Sequence, residues 1–467
     1  MSPSLALALS WLPALAPQSI ASPADRFVFE SIEPGGFLGT SLANLGDVDG
    51  DGCDELALGA FGAGRARGRV LVVRARDDAP LLCVDGRAVG ELSGLVVARV
   101  GDLDGDGTPD FLVGAPGAEP NGGASGLVRL YSGRDGALLR EFVGEAPTDE
   151  FGAAVDGADD VDRDGTPDLL VGAPGVSRKG YAIGRAAIYS GKTFEILRLW
   201  GGESGEDRFG SVVAGLGDVD RDGHGDVAIA ALQVLGPRPG FVRVYSGIDG
   251  LLIGRYGGKE PGDAFGTALA SVGDIDVTSV GGISASSFGN LDAPGVRPST
   301  APSATPGARP GARPGARPGT SSSTGAGGEL AIGAYLASTK LPGAGQVQMI
   351  SIADGRVRWT LDGDAPGAQF GAALAAVADL DGDGARELAI GAPHSGRGAG
   401  EVRIVSGRTG ATLFTLRGER PFARFGAALA GVATCSGPAL AVGAPEHGSR
   451  HALGGRVYVL GLAQRAR

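Results

Sequence analysis

Short apolar runs alternate with glycine-rich polar turns along most of the chain, a pattern typical of β-strands. In one unit these runs read FGAALAAV, ELAIGA, GEVRIVSG and ATLFTLRG, which gives four strand candidates in succession. Ser-Gly-x-x-Gly sequences at 132–136, 246–250 and 406–410 fit tight hairpins between the third and fourth strands. The apolar positions form no helical stripe over 11 residues. The pattern therefore predicts an all-β fold.

The four-strand unit recurs with a period near 56 residues. Each copy begins with Phe-Gly, continues through small apolar residues and an Asp-rich loop, and reaches a strand that ends in Gly-Ala-Pro or a variant of it. Phe-Gly stands at 151–152, 209–210, 265–266, 370–371 and 425–426, with a variant at 37–39 and a degenerate copy around Gly94. The strand after the loop has seven copies, from ELALGA at 55–60 to ALAVGAP at 439–445. Seven such units predict a seven-bladed β-propeller of four-stranded antiparallel blades.

The two ends of the repeat array predict how the ring closes. The seventh copy finishes with GGRVYVLGLA at 454–463 and lacks a fourth strand, whereas a spare strand, RFVFESI at 26–32, precedes the first copy. Pairing the two removes the exposed strand edges at the seam. We predict that Phe27 to Ser31 forms the outer strand of the last blade.

Two segments depart from the repeat. Residues 277–328 interrupt the fifth copy with a Pro-, Gly-, Ser- and Thr-rich insertion, which we expect to be disordered because it has little apolar surface to bury. Residues 1–21 contain an apolar run followed by small residues, which suggests a signal peptide, although the basic start of such peptides is missing. We therefore expect one propeller domain over 22–467 in a secreted or cell-surface protein.

Composition narrows the function classes. The formal net charge of −12, from 41 Lys and Arg against 53 Asp and Glu, argues against nucleic-acid binding. The sequence has no apolar run of 18 residues, so we expect no transmembrane helix. We also expect a monomer. Glycine makes up 85 of 467 residues, and turn chemistry repeated in seven blades accounts for most of it.

The strongest chemical signal is the pattern D-x-D-x-D-G-x-x-[DE], which occurs five times in the same phase of the repeat. Four convergent carboxylates favour a bound cation, and an oxygen-only loop with a sharp glycine turn suits Ca²⁺. The last acid is at position 9 and opens a strand, unlike position 12 of an EF-hand. We predict about five Ca²⁺ sites, with the residue after the glycine offering its backbone carbonyl. The predicted ligands are Asp47, Asp49, Asp51, Cys53 and Glu55; Asp102, Asp104, Asp106, Thr108 and Asp110; Asp160, Asp162, Asp164, Thr166 and Asp168; Asp218, Asp220, Asp222, His224 and Asp226; and Asp379, Asp381, Asp383, Ala385 and Glu387.

Two copies of the loop are incomplete. The fifth keeps Asp274 and Asp276, but the insertion removes its third Asp and its glycine. The seventh reads VATCSGPA at 432–439 and contains no acid. We expect no metal in the seventh loop and little or none in the fifth.

These motifs resemble FG-GAP repeats, the blades of the integrin α-subunit N-terminal propeller and its bacterial relatives, over residues 27 to 463. The resemblance implies a seven-bladed propeller with Ca²⁺ in the loops joining first and second strands, and ligand recognition on the opposite face. By motif match the Ca²⁺ roles carry over onto the five complete loops. The sequence shows no inserted ligand-binding domain, stalk or membrane anchor, so we do not expect a complete integrin receptor.

The face opposite the carboxylate loops offers a mixed set of residues. Its loops between second and third strands carry basic residues, which suit an anionic glycan or an acidic protein, although acids in nearby loops favour ordinary solvated charge. The basic residues are Arg65, Arg67, Arg178, Lys179, Arg238, Lys340, Arg397 and Arg450, and the acids are Glu145, Asp149, Glu150, Glu203, Glu206 and Asp207. A metal or catalytic site formed by His394, His447 and His451 is a weak alternative, because the spacing of these residues matches no known motif.

The three cysteines do not form a disulfide framework or a zinc motif. Cys83 lies in a predicted strand, where we expect it to be buried as a small apolar residue. A bridge between Cys53 and Cys435 across the closing seam stays open, and we do not favour it because the blades can hold the two residues too far apart.

Three function classes fit the sequence. The first is a non-catalytic, extracellular Ca²⁺-binding scaffold for adhesion, with a protein or glycan ligand. The second is a polysaccharide hydrolase or lyase, although the pattern shows no nucleophile and base in a shared motif. The third is a structural envelope component. Fold alone does not select among them.

Overall fold

The repeats fold into seven four-stranded antiparallel sheets, shown by a computed structural model that describes residues 26–31, 33–75, 80–233, 238–275, 328–448 and 452–462. From first to fourth strand, blades 1 to 3 comprise Leu42–Gly46, Glu55–Ala60, Arg69–Arg74 and Pro80–Asp85; Val96–Arg99, Phe111–Ala115, Leu127–Tyr131 and Leu138–Val143; and Ala154–Gly157, Leu169–Ala173, Arg185–Tyr189 and Ile196–Gly201. Blades 4 to 6 comprise Phe209–Gly217, Asp226–Ala231, Phe241–Ser246 and Leu252–Gly257; Phe265–Gly273, Glu329–Ala334, Gln346–Ser351 and Val357–Asp362; and Ala373–Val377, Glu387–Ala392, Glu401–Val405 and Thr412–Arg417. Blade 7 comprises Ala428–Thr434, Gly437–Ala444, Arg456–Gly461 and, as its fourth strand, Arg26–Glu30. The predicted signal peptide and all but the last residue of the insertion lie outside the described residues.

The seven blades form a closed ring. The first strands of neighbouring blades lie beside one another all the way round, including those of blades 7 and 1. Arg26–Glu30 pairs antiparallel with Arg456–Gly461, with Phe27 opposite Val459. The predicted seven-bladed propeller and its closure by the N-terminal strand are therefore confirmed. Three connections between second and third strands contain short elements. These are a hairpin of Ser177–Arg178 with Tyr181–Ala182, and helical turns at Ala63–Ala66 and Ser395–Gly398.

The hydrophobic core lies between the blades, in seven layers that each join two neighbours. The Phe-Gly and Gly-Ala-Pro signatures recur together because they meet in these layers. Phe370 is buried between blades 5 and 6, and Gly371 adopts a φ of 88°, which favours glycine. A Cβ on Gly333 of the preceding blade would stand 2.1 Å from the Gly371 carbonyl oxygen. Each glycine thus permits the close approach of one blade to the next.

The structure decides the open question of a Cys53–Cys435 bond and shows that the prediction of a buried Cys83 is wrong. Cys53 and Cys435 form a disulfide, with their Cα atoms 5.1 Å apart, because ring closure places the first loop of blade 1 beside the hairpin turn of blade 7. Asp54 fixes the same seam: its carboxylate accepts hydrogen bonds from Asn44 and from the Ala433 amide, both 2.7 Å long. Cys83 is exposed, because it lies on the outer strand of blade 1 and points away from the face that buries Val84.

A buried ion pair crosses the layer between blades 1 and 2. The Arg129 side chain is 2% exposed and donates from Nη1 and Nη2 to the two carboxylate oxygens of Glu91, at 3.0 and 3.1 Å. Its Nε donates to Glu141 at 2.9 Å. Since the guanidinium is removed from water, its stability in this position depends on these carboxylates.

Replacing Glu91 with Ala should lower the free energy of unfolding by about 3 kcal/mol, because Arg129 loses its bidentate partner while staying buried. Denaturant unfolding measures the loss. The matched control is Arg87→Ala, which removes an exposed ion pair to Glu141 and should cost less than about 1 kcal/mol. Equal losses in the two variants would show that Arg129 does not need Glu91.

Candidate metal centres

All five complete carboxylate loops connect the first and second strands of a blade, in blades 1, 2, 3, 4 and 6. In blade 2 the Asp102 carboxylate accepts hydrogen bonds from the amides of Gly105, Asp106 and Gly107, which wraps the backbone around it. Asp104 accepts from the Asp106 amide in the same way. Hydrogen bonds from backbone amides to its own carboxylates therefore hold the loop in this conformation.

The same arrangement recurs in the other loops. The third acid accepts a hydrogen bond of 2.8 to 2.9 Å from the amide of the residue after the glycine, which is Cys53, Thr108, Thr166, His224 or Ala385. In blades 1 to 4, the first, second and last acids bring one carboxylate oxygen each within 4.8 Å of one another; these acids are Asp47, Asp49 and Glu55; Asp102, Asp104 and Asp110; Asp160, Asp162 and Asp168; and Asp218, Asp220 and Asp226. In blade 6, Asp379, Asp381, Asp383 and Glu387 make the corresponding backbone bonds. These acidic clusters are suited to a metal ion.

The last acid of each loop is buried beneath the others, and it has a second support that the sequence pattern did not reveal. In blades 2, 3, 4 and 6 the glycine amide of the Ser-Gly hairpin donates to it, as Gly133 does to Asp110 at 3.1 Å. A Cβ on Gly133 would lie 1.9 Å from the Pro109 carbonyl oxygen, so glycine is required there. Sequence reasoning assigned this turn only a hairpin role. The sequence signal for this support is that the Ser-Gly turn occurs in blades that also have a complete carboxylate loop.

Blade 1 lacks the Ser-Gly turn, and its loop shows an unsatisfied ligand atom. Glu55 is fully buried, and its Oε2 accepts from the Val48 amide at 2.8 Å. Its Oε1 makes no hydrogen bond within the described part of the chain. A buried carboxylate oxygen without a partner is costly, and a cation beside Asp47 and Asp49 would satisfy it. The donor set of these loops therefore fits Ca²⁺.

Positive side chains approach some of the loops. Arg74 Nε lies 2.5 Å from Asp49, and Arg408 Nε lies 3.4 Å from Asp383. They offset part of the negative charge from the rim of each loop.

The last acids have raised pKa values, because they are buried beside other carboxylates. Burial, followed by repulsion from neighbouring Asp side chains, raises the pKa of Glu55, Asp110, Asp226 and Glu387 to about 7 and that of Asp168 to about 6, although backbone hydrogen bonds lower each value. Without a cation, these folded loops therefore hold protons that the unfolded chain releases near pH 4 to 5.

Calcium stabilisation is expected to increase between pH 5.5 and 8. Because these pKa values are raised in the folded chain, the metal-free protein loses stability as pH rises through about 7. Above that pH the carboxylates are ionised, so Ca²⁺ binds them without competition from protons. Thermal unfolding with Ca²⁺ and with chelator at both pH values measures the difference. A Ca²⁺-dependent gain in the midpoint that is larger at pH 5.5 would contradict the assignment.

The incomplete loops look different. In blade 5, Arg358 Nη2 lies 3.5 Å from Glu329, the last acid, so a positive charge already stands beside the carboxylate. In blade 7 the acidic loop is replaced by a tight hairpin in which Thr434 pairs with Gly437. Asp276 lies outside the described residues. The absence of metal from the seventh loop, and little or none in the fifth, stays a prediction.

The opposite face carries mixed charge. Lys340 Nζ lies 3.0 Å from Asp362, and Arg238 donates to Ser204 Oγ at 2.9 Å. Asp207 is buried and accepts hydrogen bonds from the amides of its own turn. His447 is buried edge-on against the Tyr458 ring, while Arg450 and His451 lie outside the described residues. The three-histidine site stays untested.

Comparison with known proteins gives concordant results. The FG-GAP repeat family model matches residues 97–131, 151–189 and 370–405. The chain is 32% identical to integrin alpha-V of Gallus gallus over 206 residues, which covers 41% of this chain and 19% of that protein. It is 33% identical to integrin alpha-5 of Xenopus laevis over 208 residues (41% and 19%) and 35% identical to human integrin alpha-IIb over 199 residues (38% and 18%). The alignments therefore span about a fifth of these relatives.

Among solved structures, the chain resembles the crystal structure of BBS1N in complex with ARL6DN, soaked with lead, with a TM-score of 0.52 and 12% identity over 95% of this chain and 98% of that one. This likeness concerns the fold. Together, the blades and the matched repeats define a β-propeller built from FG-GAP repeats. Within that class, the aligned part of the chain is similar to the integrin α subunits. Among the residues described here, no helix has the length and apolar character to cross a membrane.

Proposed function

We propose that this protein is an extracellular, calcium-stabilised propeller that acts as a non-catalytic scaffold for a protein or glycan ligand. The observation that carries the proposal is the convergence of carboxylates in the loops between first and second strands of blades 1 to 4, together with the matching backbone hydrogen bonds of the blade 6 loop. In each loop the metal ligands are the four acids and the backbone carbonyl predicted from the sequence. Bound Ca²⁺ supplies charge neutralisation and stiffens the loop.

Three further observations support an extracellular location. Loops of this type suit the roughly 0.1–1 mM affinity of extracellular Ca²⁺ modules. The disulfide between Cys53 and Cys435 fits an oxidising compartment. The similarity to integrin α subunits, which concerns about a fifth of their length, favours a surface or secreted adhesion role. The single propeller domain over 22–467, the signal peptide over 1–21 and the disordered insertion over 277–328 belong to the same proposal, as does a monomeric state.

The ligand face would lie opposite the Ca²⁺ loops, where connectors from fourth to first strands and from second to third strands meet. The sequences of these connectors vary from blade to blade, whereas the carboxylate loops on the other face repeat. Variable loops on a rigid scaffold are a common arrangement for recognition.

Capture from glycan and protein arrays by the purified protein tests this function. We expect capture in millimolar Ca²⁺ that weakens in chelator, with no release of reducing ends from a bound polysaccharide. Release of reducing ends would instead support the polysaccharide hydrolase or lyase, and absence of any capture would oppose the scaffold role.

A further inference from the structure

The third strands of blades 2 and 6 carry an arginine at the same position, Arg129 and Arg403. In the register with the fourth strand, Arg129 stands opposite Glu141 and Arg403 opposite Thr415. The connectors entering the two blades also correspond, because Ser93 and Phe370 make equivalent parallel bridges. Two residues before these bridges stand Glu91 in blade 2 and Ala368 in blade 6. The two arginines can therefore be compared directly.

In blade 2 each guanidinium nitrogen has a carboxylate partner. Nη1 and Nη2 of Arg129 bond to Glu91, and Nε bonds to Glu141. The side chain is almost completely buried by these partners. With its side chain 2% exposed, this arginine offers no accessible surface to a ligand.

In blade 6 both of those carboxylates are missing. Ala368 and Thr415 stand in their places, and a cavity of about 390 Å³ lies against them and against Arg403. The remaining acidic partners of Arg403, which are Asp364 and Glu401, both accept from Nη2, at 2.6 and 3.3 Å. Nε and Nη1 donate to no residue in the described ranges. Asp364 is 77% exposed, so solvent screens its pairing with Arg403.

Packing holds the open guanidinium in place. Its carbon lies 4.8 Å from the centre of the Phe370 ring, and the Arg403 side chain is 12% exposed. A planar fork of donors held beside an apolar ring is preorganised for a carboxylate, which it binds in bidentate fashion. The volume that the Glu91 carboxylate fills in blade 2 is thus available to a ligand in blade 6.

We propose that this cavity binds the carboxylate of an acidic sugar, such as a uronic acid unit of a polysaccharide. The rest of the wall favours a sugar, since the hydroxyl groups of Ser395, Thr412 and Thr415 and the carboxylate of Glu401 pair with ring hydroxyls. The volume is near the lower end of the roughly 300–1,000 Å³ typical of small-ligand pockets. This inference rests on the proposed function and gives its ligand face a subsite and a ligand class.

Calorimetric titration of the full chain with an oligogalacturonate in Ca²⁺ tests the site. The wild type should bind, and the neutral oligogalactose of the same length should not. Arg403→Gln should weaken binding by roughly 10- to 100-fold, because charged hydrogen bonds are lost. Ala368→Glu restores the carboxylate of blade 2 inside the protein and should weaken binding similarly without lowering the unfolding midpoint. Arg420→Gln, which removes an exposed charge from the next connector, is the matched control and should bind as the wild type does.

The outcomes separate the site from the general function. Binding of oligogalacturonate by Ala368→Glu at wild-type affinity, or equal binding of the neutral sugar, would overturn the subsite. Competition by a Glu-rich peptide at equal concentration would overturn the sugar assignment. If the wild type captures some other ligand that Ala368→Glu also captures, the subsite fails while the scaffold role stands. If it captures nothing on the arrays, both fail.

Discussion

Chelation of Ca²⁺ is expected to lower the midpoint of thermal unfolding by roughly 2–7 °C. At 1 mM Ca²⁺, sites with dissociation constants of about 0.1–1 mM each stabilise the folded state by about 0.4–1.4 kcal/mol, and five sites together by about 2–7 kcal/mol. For a chain of this length, 1 kcal/mol shifts the midpoint by about 1 °C. Differential scanning calorimetry with Ca²⁺ and with chelator measures the effect. An unchanged midpoint would refute metal in these loops.

A single-loop variant assigns the effect to particular residues. Glu387→Gln removes the charge of the buried last acid in blade 6 while keeping its size, and should reduce the Ca²⁺-dependent gain by about one site's share. Asp354→Asn is the control, since Asp354 lies in the hairpin of blade 5, outside the five loops. A Ca²⁺-dependent gain that falls equally in both variants would point to non-specific charge effects.

Removal of the seam disulfide is expected to cost about 2–5 kcal/mol of unfolding free energy. Cys53 and Cys435 are 382 residues apart, so their bond strongly restricts the unfolded chain and holds blade 7 to blade 1 in the folded ring. Chemical denaturation of the double variant Cys53→Ser/Cys435→Ser, compared with the wild type in Ca²⁺, measures the loss.

Two comparisons make the disulfide result specific. Cys83→Ser changes an exposed cysteine on the outer strand of blade 1 and should alter stability by less than about 0.5 kcal/mol. A reducing agent should destabilise the wild type and leave the double variant unchanged. Equal sensitivity of both proteins to reduction would contradict a stabilising bond.

The fold was predictable because repetition makes local signals redundant. Each weak strand or turn signal recurs at a fixed phase, so one ambiguous segment, such as the degenerate copy near Gly94, is identified by its neighbours. The position of the carboxylate loops was equally clear, since Asp spacing and the glycine are local properties. The spare strand at Arg26–Glu30 was found by counting, because a ring with one blade missing a strand has only one seam.

Side-chain surroundings were less accessible. Cys83 was expected to be buried, yet a fourth strand has one face on solvent, and only the register decides which face a residue takes. Bonding between Cys53 and Cys435 depends on the distance between loops of blades at opposite ends of the sequence. The support of Asp110 by Gly133 likewise joins two turns whose proximity follows from strand pairing.

The number of blades, the closure of the ring and the acids of each loop follow from the sequence, because short motifs at a constant period encode them. Which side chains meet, and which keep donors or acceptors unused, depends on the tertiary structure. It showed the unsatisfied oxygen of Glu55, the seam bond and the open guanidinium of Arg403. The physical reason is that a side chain's partners come from neighbouring strands and blades, and their identity changes from copy to copy while the backbone repeats.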